Sequence, residues 1–400
     1  MEGEVLRRFA VVTSLSLLLW GCAPAPESQV SGPAPALVTM LANQEQAEQA
    51  AMEKADAARF GVTVAQLREA RASLPSEQRA KVASLLMVGV RDFDDAKFAL
   101  DQGVGGIFVG SWTDPALLTE PGRDIAALRE QVGRPFSVSI DAEGGRVQRQ
   151  PALFGQVPAP RELVAGGTPE RAYEVAFGLG TRLREAGVTV DFAPVLDVDH
   201  GPANGAIGDR SFSGDPAEAA AFGAAFARGL HDAGVHPVYK HFPGHGRASG
   251  DSHFEDVTAP PLDDVKRVDL APYGPALREA PGAVMMGHVR VPGLGDATPS
   301  SINPAAYKLL RSGDYPGGEP FRGVIYTDDL SGMKAISAQL STPDAVLAAL
   351  SAGADCALWI STVQVGAAID AVDAAVSSGA YPLAQVEDSA VRIRLQQLFS

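Results

Sequence analysis

Val235-His236-Pro237-Val238-Tyr239-Lys240-His241-Phe242-Pro243-Gly244-His245-Gly246 begins as a short apolar run and ends in backbone broken by proline and glycine. Arg247-Ala248-Ser249-Gly250-Asp251-Ser252-His253 follows at once, so the fourteen residues from Lys240 carry three histidines, a lysine and an aspartate. That much titratable chemistry on irregular backbone points to a catalytic loop. The run from Val235 to Tyr239 reads as a strand, which puts Lys240 and His241 at its carboxyl end and leaves the glycines to give the loop room to move. In parallel α/β folds, residues in that position line the active site.

Similar apolar runs recur on both sides, separated by helical stretches. The candidate strands are Val82 to Val88, Gly106 to Val109, Phe136 to Ile140, Thr189 to Phe192, His236 to Tyr239, Ala283 to Met286, Gly323 to Tyr326 and Cys356 to Ile360. Eight strands alternating with helices predict an α/β fold of the (β/α)8 TIM-barrel type over residues 80–400. An open Rossmann-like sheet is the competing reading, but no G-x-G-x-x-G opens a helix after the first strand. The strand ends then test the barrel. Asp141 to Arg146 follow the third strand, Asp191 and Asp197 go with the fourth, Lys240 and His241 with the fifth, His288 with the sixth, and Asp328 and Asp329 with the seventh. In a barrel all of these face one mouth, which turns a scattered set into a pocket.

The chain has 400 residues, and its 46% hydrophobic content suits a protein with a substantial core. A formal charge of −15 disfavours nucleic-acid binding, which needs a basic footprint. Arg7 and Arg8 precede an apolar run from Phe9 to Trp20, and Gly21-Cys22 leads into a stretch rich in Pro, Ala and Ser. That is a signal-peptide layout, and the apolar run is short for a membrane-spanning helix. Leu19-Trp20-Gly21-Cys22 resembles the bacterial lipobox, with Trp20 standing where a small residue is usual; the resemblance implies lipidation of Cys22 after removal of residues 1–21. Residues 22–41 read as a tether, and 42–79 as an alanine-rich helical segment that packs on the barrel. Cys356, in the apolar run Ala354 to Ile360, reads as a buried structural thiol.

Asp328 follows Val324-Ile325-Tyr326-Thr327, so its carboxylate is expected on a rigid element facing the pocket, as a nucleophile requires. A capping or salt-bridged aspartate is the alternative for the same residue. Asp329 points elsewhere by strand alternation and reads as an N-cap for a helix from Ser331. His253 is a candidate acid/base, because Asp251 two residues earlier can orient its ring and favour its protonated form. His241 and His245 have the spacing of a helical metal pair, but Pro243, Gly244 and Gly246 argue against a helix there, and no HExxH-type glutamate or cysteine joins them. No metal and no cofactor is expected, and no P-loop is present for nucleotide chemistry.

Taken together, Lys240 to Gly246 with Asp251-Ser252-His253 resembles the signature of glycoside hydrolase family 3, in its β-N-acetylhexosaminidase branch. Asp141-Ala142-Glu143-Gly144-Gly145-Arg146-Val147-Gln148-Arg149, Ile207-Gly208-Asp209-Arg210-Ser211-Phe212 and Thr327-Asp328-Asp329-Leu330 resemble three further segments of that family, in its order along the chain. The resemblance implies Asp328 as nucleophile, His253 paired with Asp251 as acid/base, and sugar binding by Asp141, Arg149, Arg210, Lys240 and His241. His288 is expected in a supporting position, and Ala142, where the family often has a larger polar residue, as a change in the pocket wall. Many β-glucosidases of the family bring the acid/base from a second domain after the barrel. Here the Asp251-Ser252-His253 loop supplies it, which favours the N-acetylglucosaminidase branch and a single catalytic domain. A histidine in that role avoids a second anion beside Asp328 and tolerates anionic acceptors. The implied protein is a monomeric, lipid-anchored enzyme on the outer face of a bacterial cytoplasmic membrane, acting on GlcNAc-containing cell-wall saccharides with a loop that swings His253 in when sugar binds. A broad β-glucosidase or phosphorylase of the same family, and an inactive lipid-anchored sugar-binding protein, are the alternatives.

Overall fold

Eight of the apolar runs become parallel strands in the computed structural model, which describes residues 35–399. The strands are β1 (Leu86–Val90), β2 (Gly106–Val109), β3 (Ser137–Ile140), β4 (Val190–Asp191), β5 (His236–Phe242), β6 (Ala283–Met286), β7 (Ile325–Thr327) and β8 (Ala357–Trp359). Each neighbours the next in chain order from β1 to β7, and β1 also pairs with β8 in the register Leu86 with Ala357. A parallel bridge between Tyr326 and Cys356 joins β7 to β8 and closes the ring. This is the (β/α)8 barrel, with helices on its outside. Closure leaves the eight-stranded sheet without an edge, so strands of only two or three residues are still paired on both sides.

The elements follow from local chemistry. Helices on the barrel's outside begin at Asp92, Asp124, Asp215 and Asn303, whose side chains each accept a backbone N–H from the first turn, contributing about 1 kcal/mol apiece. Inside the barrel, Phe108 stacks on Phe192 at 5.9 Å and Phe192 meets the edge of Tyr326 at 5.4 Å. The last helix, Leu383–Phe399, closes the bottom: Gln397 donates to the Gly105 carbonyl at 2.9 Å and Gln396 to the Tyr326 hydroxyl at 2.7 Å.

Three boundaries differ from the sequence reading. Val82 and Ala83 close a helix, Gln78–Ala83, and the first strand starts at Leu86; the apolar run continues through both elements, so its pattern does not mark the change. The fifth strand runs on to Phe242, so Lys240 and His241 lie within it. Its pairing shifts between Tyr239 and Phe242, where two residues oppose one on β6; such a bulge re-aims side chains that strict alternation would send to opposite faces. The alanine-rich helix begins at Pro35, inside the expected tether, and breaks at Gly61, with a second helix, Val64–Ala72, capped by Thr63 and Gln66.

The chain divides into two compact units after Met52. Described residues of the first unit, from Pro35, are helical. Within the second, Ala57, Phe60, Leu67 and Ala70 form a small apolar cluster with Val391 and Leu395 of the last helix. The signal peptide, the lipobox and Cys22 lie outside the described residues. Among the described residues, no helix is long and apolar enough to cross a membrane. Cys356 is buried and unpaired, and burial pushes its thiol up, so it is an unreactive core residue.

Candidate active site

The strand ends bring the sequence-predicted residues to one mouth. Lys240, buried on β5, sits 2.7 Å from Asp141 Oδ1 and 2.5 Å from Glu143 Oε1. Arg210 grips Glu143 with two bonds of 2.8 Å and comes within 3.3 Å of His241 Nε2. Arg149 reaches Asp141 at 3.5 Å and Ser111 at 3.2 Å. Asp141, Arg149, Arg210, Lys240 and His241 therefore form one connected network. Its hub is Glu143, to which the sequence reading gave no role.

Glu143 is fully buried. Burial raises its carboxyl, but Arg210 and Lys240 outweigh that and bring it down to about 2. The same carboxylates raise Lys240 against the opposing effect of burial. Beneath them, Asp191 accepts the Ala142 N–H at 2.9 Å through Oδ1, while Oδ2 has no partner. Burial lifts this carboxyl to about 8, so it stays protonated at neutral pH. Ala142 itself is fully buried.

Asp197, which the sequence places at the mouth without a role, holds the loop after β5. Asp197, fully buried, takes His241 Nδ1 at 2.6 Å and the backbone N–H of His245 at 2.7 Å. Burial would raise Asp197, but His241 pulls it below the ordinary value, so it is the anion that fixes the imidazole. His245 is then tied to Ser252 at 2.9 Å. The two histidines that resembled a metal pair are thus engaged with Asp197 and Ser252. Among the described residues, no cluster of His, Cys, Asp and Glu could hold a metal ion.

Asp328 is the first residue after β7, its amide bonded to the Met286 carbonyl at 3.0 Å. Its Oδ1 accepts the Asp329 N–H at 2.8 Å. Burial alone would raise the carboxyl, but the imidazoles of His241, His288 and His253 hold it well below the ordinary range, so it is ionised. Asp329 turns away, accepting from Ser331 at 2.8 Å and Gly332 at 2.9 Å. What it caps is a tight turn, and the next helix begins only at Lys334, because Gly332 interrupts the segment. His288 is fully buried between Ser301 at 2.7 Å and the Asp329 carbonyl at 2.9 Å, a supporting position. Burial depresses its pKa.

His253 lies at the rim. Asp251 Oδ1 binds its Nδ1 at 2.8 Å and its backbone N–H at 3.0 Å. The ring is 57% exposed, which leaves Nε2 free to meet a ligand. The loop rests on the segment after β7, where the amides of Lys334 and Ala335 each donate at 3.3 Å, to the carbonyls of His253 and Ser252. A buried cluster of cations and carboxylates, an ionised aspartate facing the mouth and a peripheral histidine suit cleavage of a polyhydroxylated substrate.

Known proteins resemble the chain over most of its length. The model of the glycosyl hydrolase family 3 N-terminal domain matches residues 78–395. The chain belongs to glycosyl hydrolase family 3. Beta-hexosaminidase LpqI of Mycobacterium tuberculosis is 47% identical over 317 residues, 79% of this chain and 81% of that protein. A beta-hexosaminidase of Xylella fastidiosa is 35% identical over 72% of the chain and 87% of its own length. Among solved structures, a family 3 glycosyl hydrolase of Mycobacterium smegmatis superposes with a TM-score of 0.79 at 49% identity, covering 82% of this chain and 98% of the other. A family 3 beta-N-acetylglucosaminidase of a Paenibacillus species gives 0.73 at 34%, covering 80% and 62%. The protein is a glycoside hydrolase, and these relatives agree with the hexosaminidase branch that its motifs resemble.

Proposed function

We propose that this family 3 enzyme is a retaining exo-β-N-acetylglucosaminidase that removes terminal GlcNAc from peptidoglycan-derived fragments. One observation carries the mechanism: Asp328 is ionised at the pocket mouth, beside a loop whose histidine keeps one ring nitrogen free. Asp328 attacks the anomeric carbon while His253 protonates the departing glycosidic oxygen, giving a glycosyl-aspartate. His253, now neutral, takes a proton from water, and that water cleaves the ester and releases Asp328. Asp251 holds the ring in the tautomer both steps need. Asp141, Arg149, Arg210, Lys240 and His241 bind the sugar hydroxyls and the acetamido oxygen, with Lys240 and Arg210 preorganised by Glu143.

The hexosaminidase names of the relatives support the choice of sugar, and the lipobox-like sequence before Cys22 supports a cell-envelope setting. On this reading the enzyme acts as a lipid-anchored monomer on the outer face of the cytoplasmic membrane. The test is release of nitrophenol from nitrophenyl β-N-acetylglucosaminide by a soluble form starting after Cys22, beside His253→Ala with and without azide. Turnover by the parent, its loss in the variant and rescue by azide with formation of a β-glycosyl azide are the expected results. A folded parent that ignores this substrate and cleaves nitrophenyl glucoside would overturn the sugar assignment.

A further inference from the structure

Beyond the sugar-binding network, a cleft of about 320 Å³ opens between residues 146–147 after β3, 204–206 after β4 and 251–254 after β5. Its volume lies at the small end of ligand clefts, about 300–1,000 Å³. His253 stands on one wall, and next to it Phe254 is 72% exposed, its ring centroid 6.3 Å from the imidazole. Single exposed apolar side chains are ordinary on a surface and need no explanation. This one is distinguished by its neighbour: an acid/base must reach the glycosidic oxygen, the atom shared by the sugar being cleaved and the group being released. Whatever flanks that histidine on the open side therefore faces the released group.

Resting on the assignment of His253 as acid/base, we propose that this cleft is the aglycone subsite and that Phe254 is its stacking platform. The ligand class is a second pyranose ring, whose C–H face packs on the phenyl ring. The cations on the cleft wall are already occupied. Arg146 donates to the carbonyls of Ala203, Gly205, Ala206 and Ile207 and pairs with Asp209, while Arg210, held by Glu143, is committed to the sugar-binding network. Recognition here consequently runs through the ring face and not through an anionic substituent. The subsite acts only in the step that contains the aglycone, formation of the glycosyl-aspartate, and that step sets kcat/KM.

The experiment compares Phe254→Ala with the parent on two substrates, the β-1,4-linked disaccharide of N-acetylglucosamine and β-N-acetylglucosaminyl fluoride, whose leaving group has no ring. Truncation of so exposed a side chain leaves folding intact. The expected result is a fall in kcat/KM of about tenfold on the disaccharide, a change within about twofold on the fluoride, and recovery on the disaccharide with Phe254→Trp. Equal losses on both substrates, or no loss on the disaccharide, would overturn the subsite while leaving the hydrolase reading in place. A parent inactive on both would overturn the N-acetylglucosaminidase assignment and the subsite with it.

Discussion

Replacing Glu143 by Gln tests whether the buried charge network organises the sugar site. The substitution keeps shape and removes one negative charge from a side chain with no exposure, leaving Lys240 with Asp141 and Arg210 without its bidentate carboxylate. The carboxyl's descent from 4.5 to about 2 on folding corresponds to about 3 kcal/mol of stabilisation. Breaking a buried pair by removing one partner costs about 3–5 kcal/mol on independent grounds. The sign follows from linkage: the folded-state value lies below the unfolded one, so the contribution is complete above about pH 4.5 and declines as pH falls toward 2. Urea unfolding of parent and variant at pH 7 and pH 3 is the assay. A difference of about 3 kcal/mol at pH 7 that shrinks to less than half at pH 3 is expected, together with a rise in KM for the glycoside. A difference below about 1 kcal/mol at pH 7, or one that does not change with pH, would refute the argument.

Two further perturbations probe the frame around that network. Asp191→Asn mimics the protonated carboxyl and retains activity; its stability relative to the parent grows as pH rises from about 4 to about 8, since a carboxyl raised by burial costs most where it would ionise in the unfolded chain. Thermal melts across that range read it, and a variant destabilised at pH 7 would show that Asp191 works as an anion. Gly246→Ala brings a Cβ within 2.2 Å of the Val198 carbonyl, so the loop after β5 must move, with an expected loss of about 1–3 kcal/mol and of turnover. Unchanged melting and unchanged rates would count against a rigidly seated loop.

Much of this was legible in the sequence because strand ends carry the chemistry. Apolar runs bounded by turns gave the eight strands, and the polar residues just past them gave the mouth. What escaped the reading depends on spatial neighbours. Glu143 lies two residues after Asp141, and that period alone hinted at a shared face, but its role comes from Arg210 and Lys240, far away in sequence. Asp197 likewise gains its meaning from His241 and His245. The bulge in β5 is set by pairing with β6, so alternation along one strand could not reveal that Lys240 and His241 belong to it. The break at Gly61 did have a local signal, Thr63 followed three residues later by Gln66, which the alanine-rich pattern on either side obscured.

Trapping the covalent intermediate bears most directly on the account. Incubation with a fluorinated N-acetylglucosaminyl donor that forms the glycosyl-enzyme quickly and loses it slowly, followed by peptide mass spectrometry, locates the attacking atom. The account predicts one sugar per chain, on the peptide containing Asp328, and none in Asp328→Asn. A label on Asp329, Glu143 or another residue, or steady hydrolysis with inversion and no label, would contradict it.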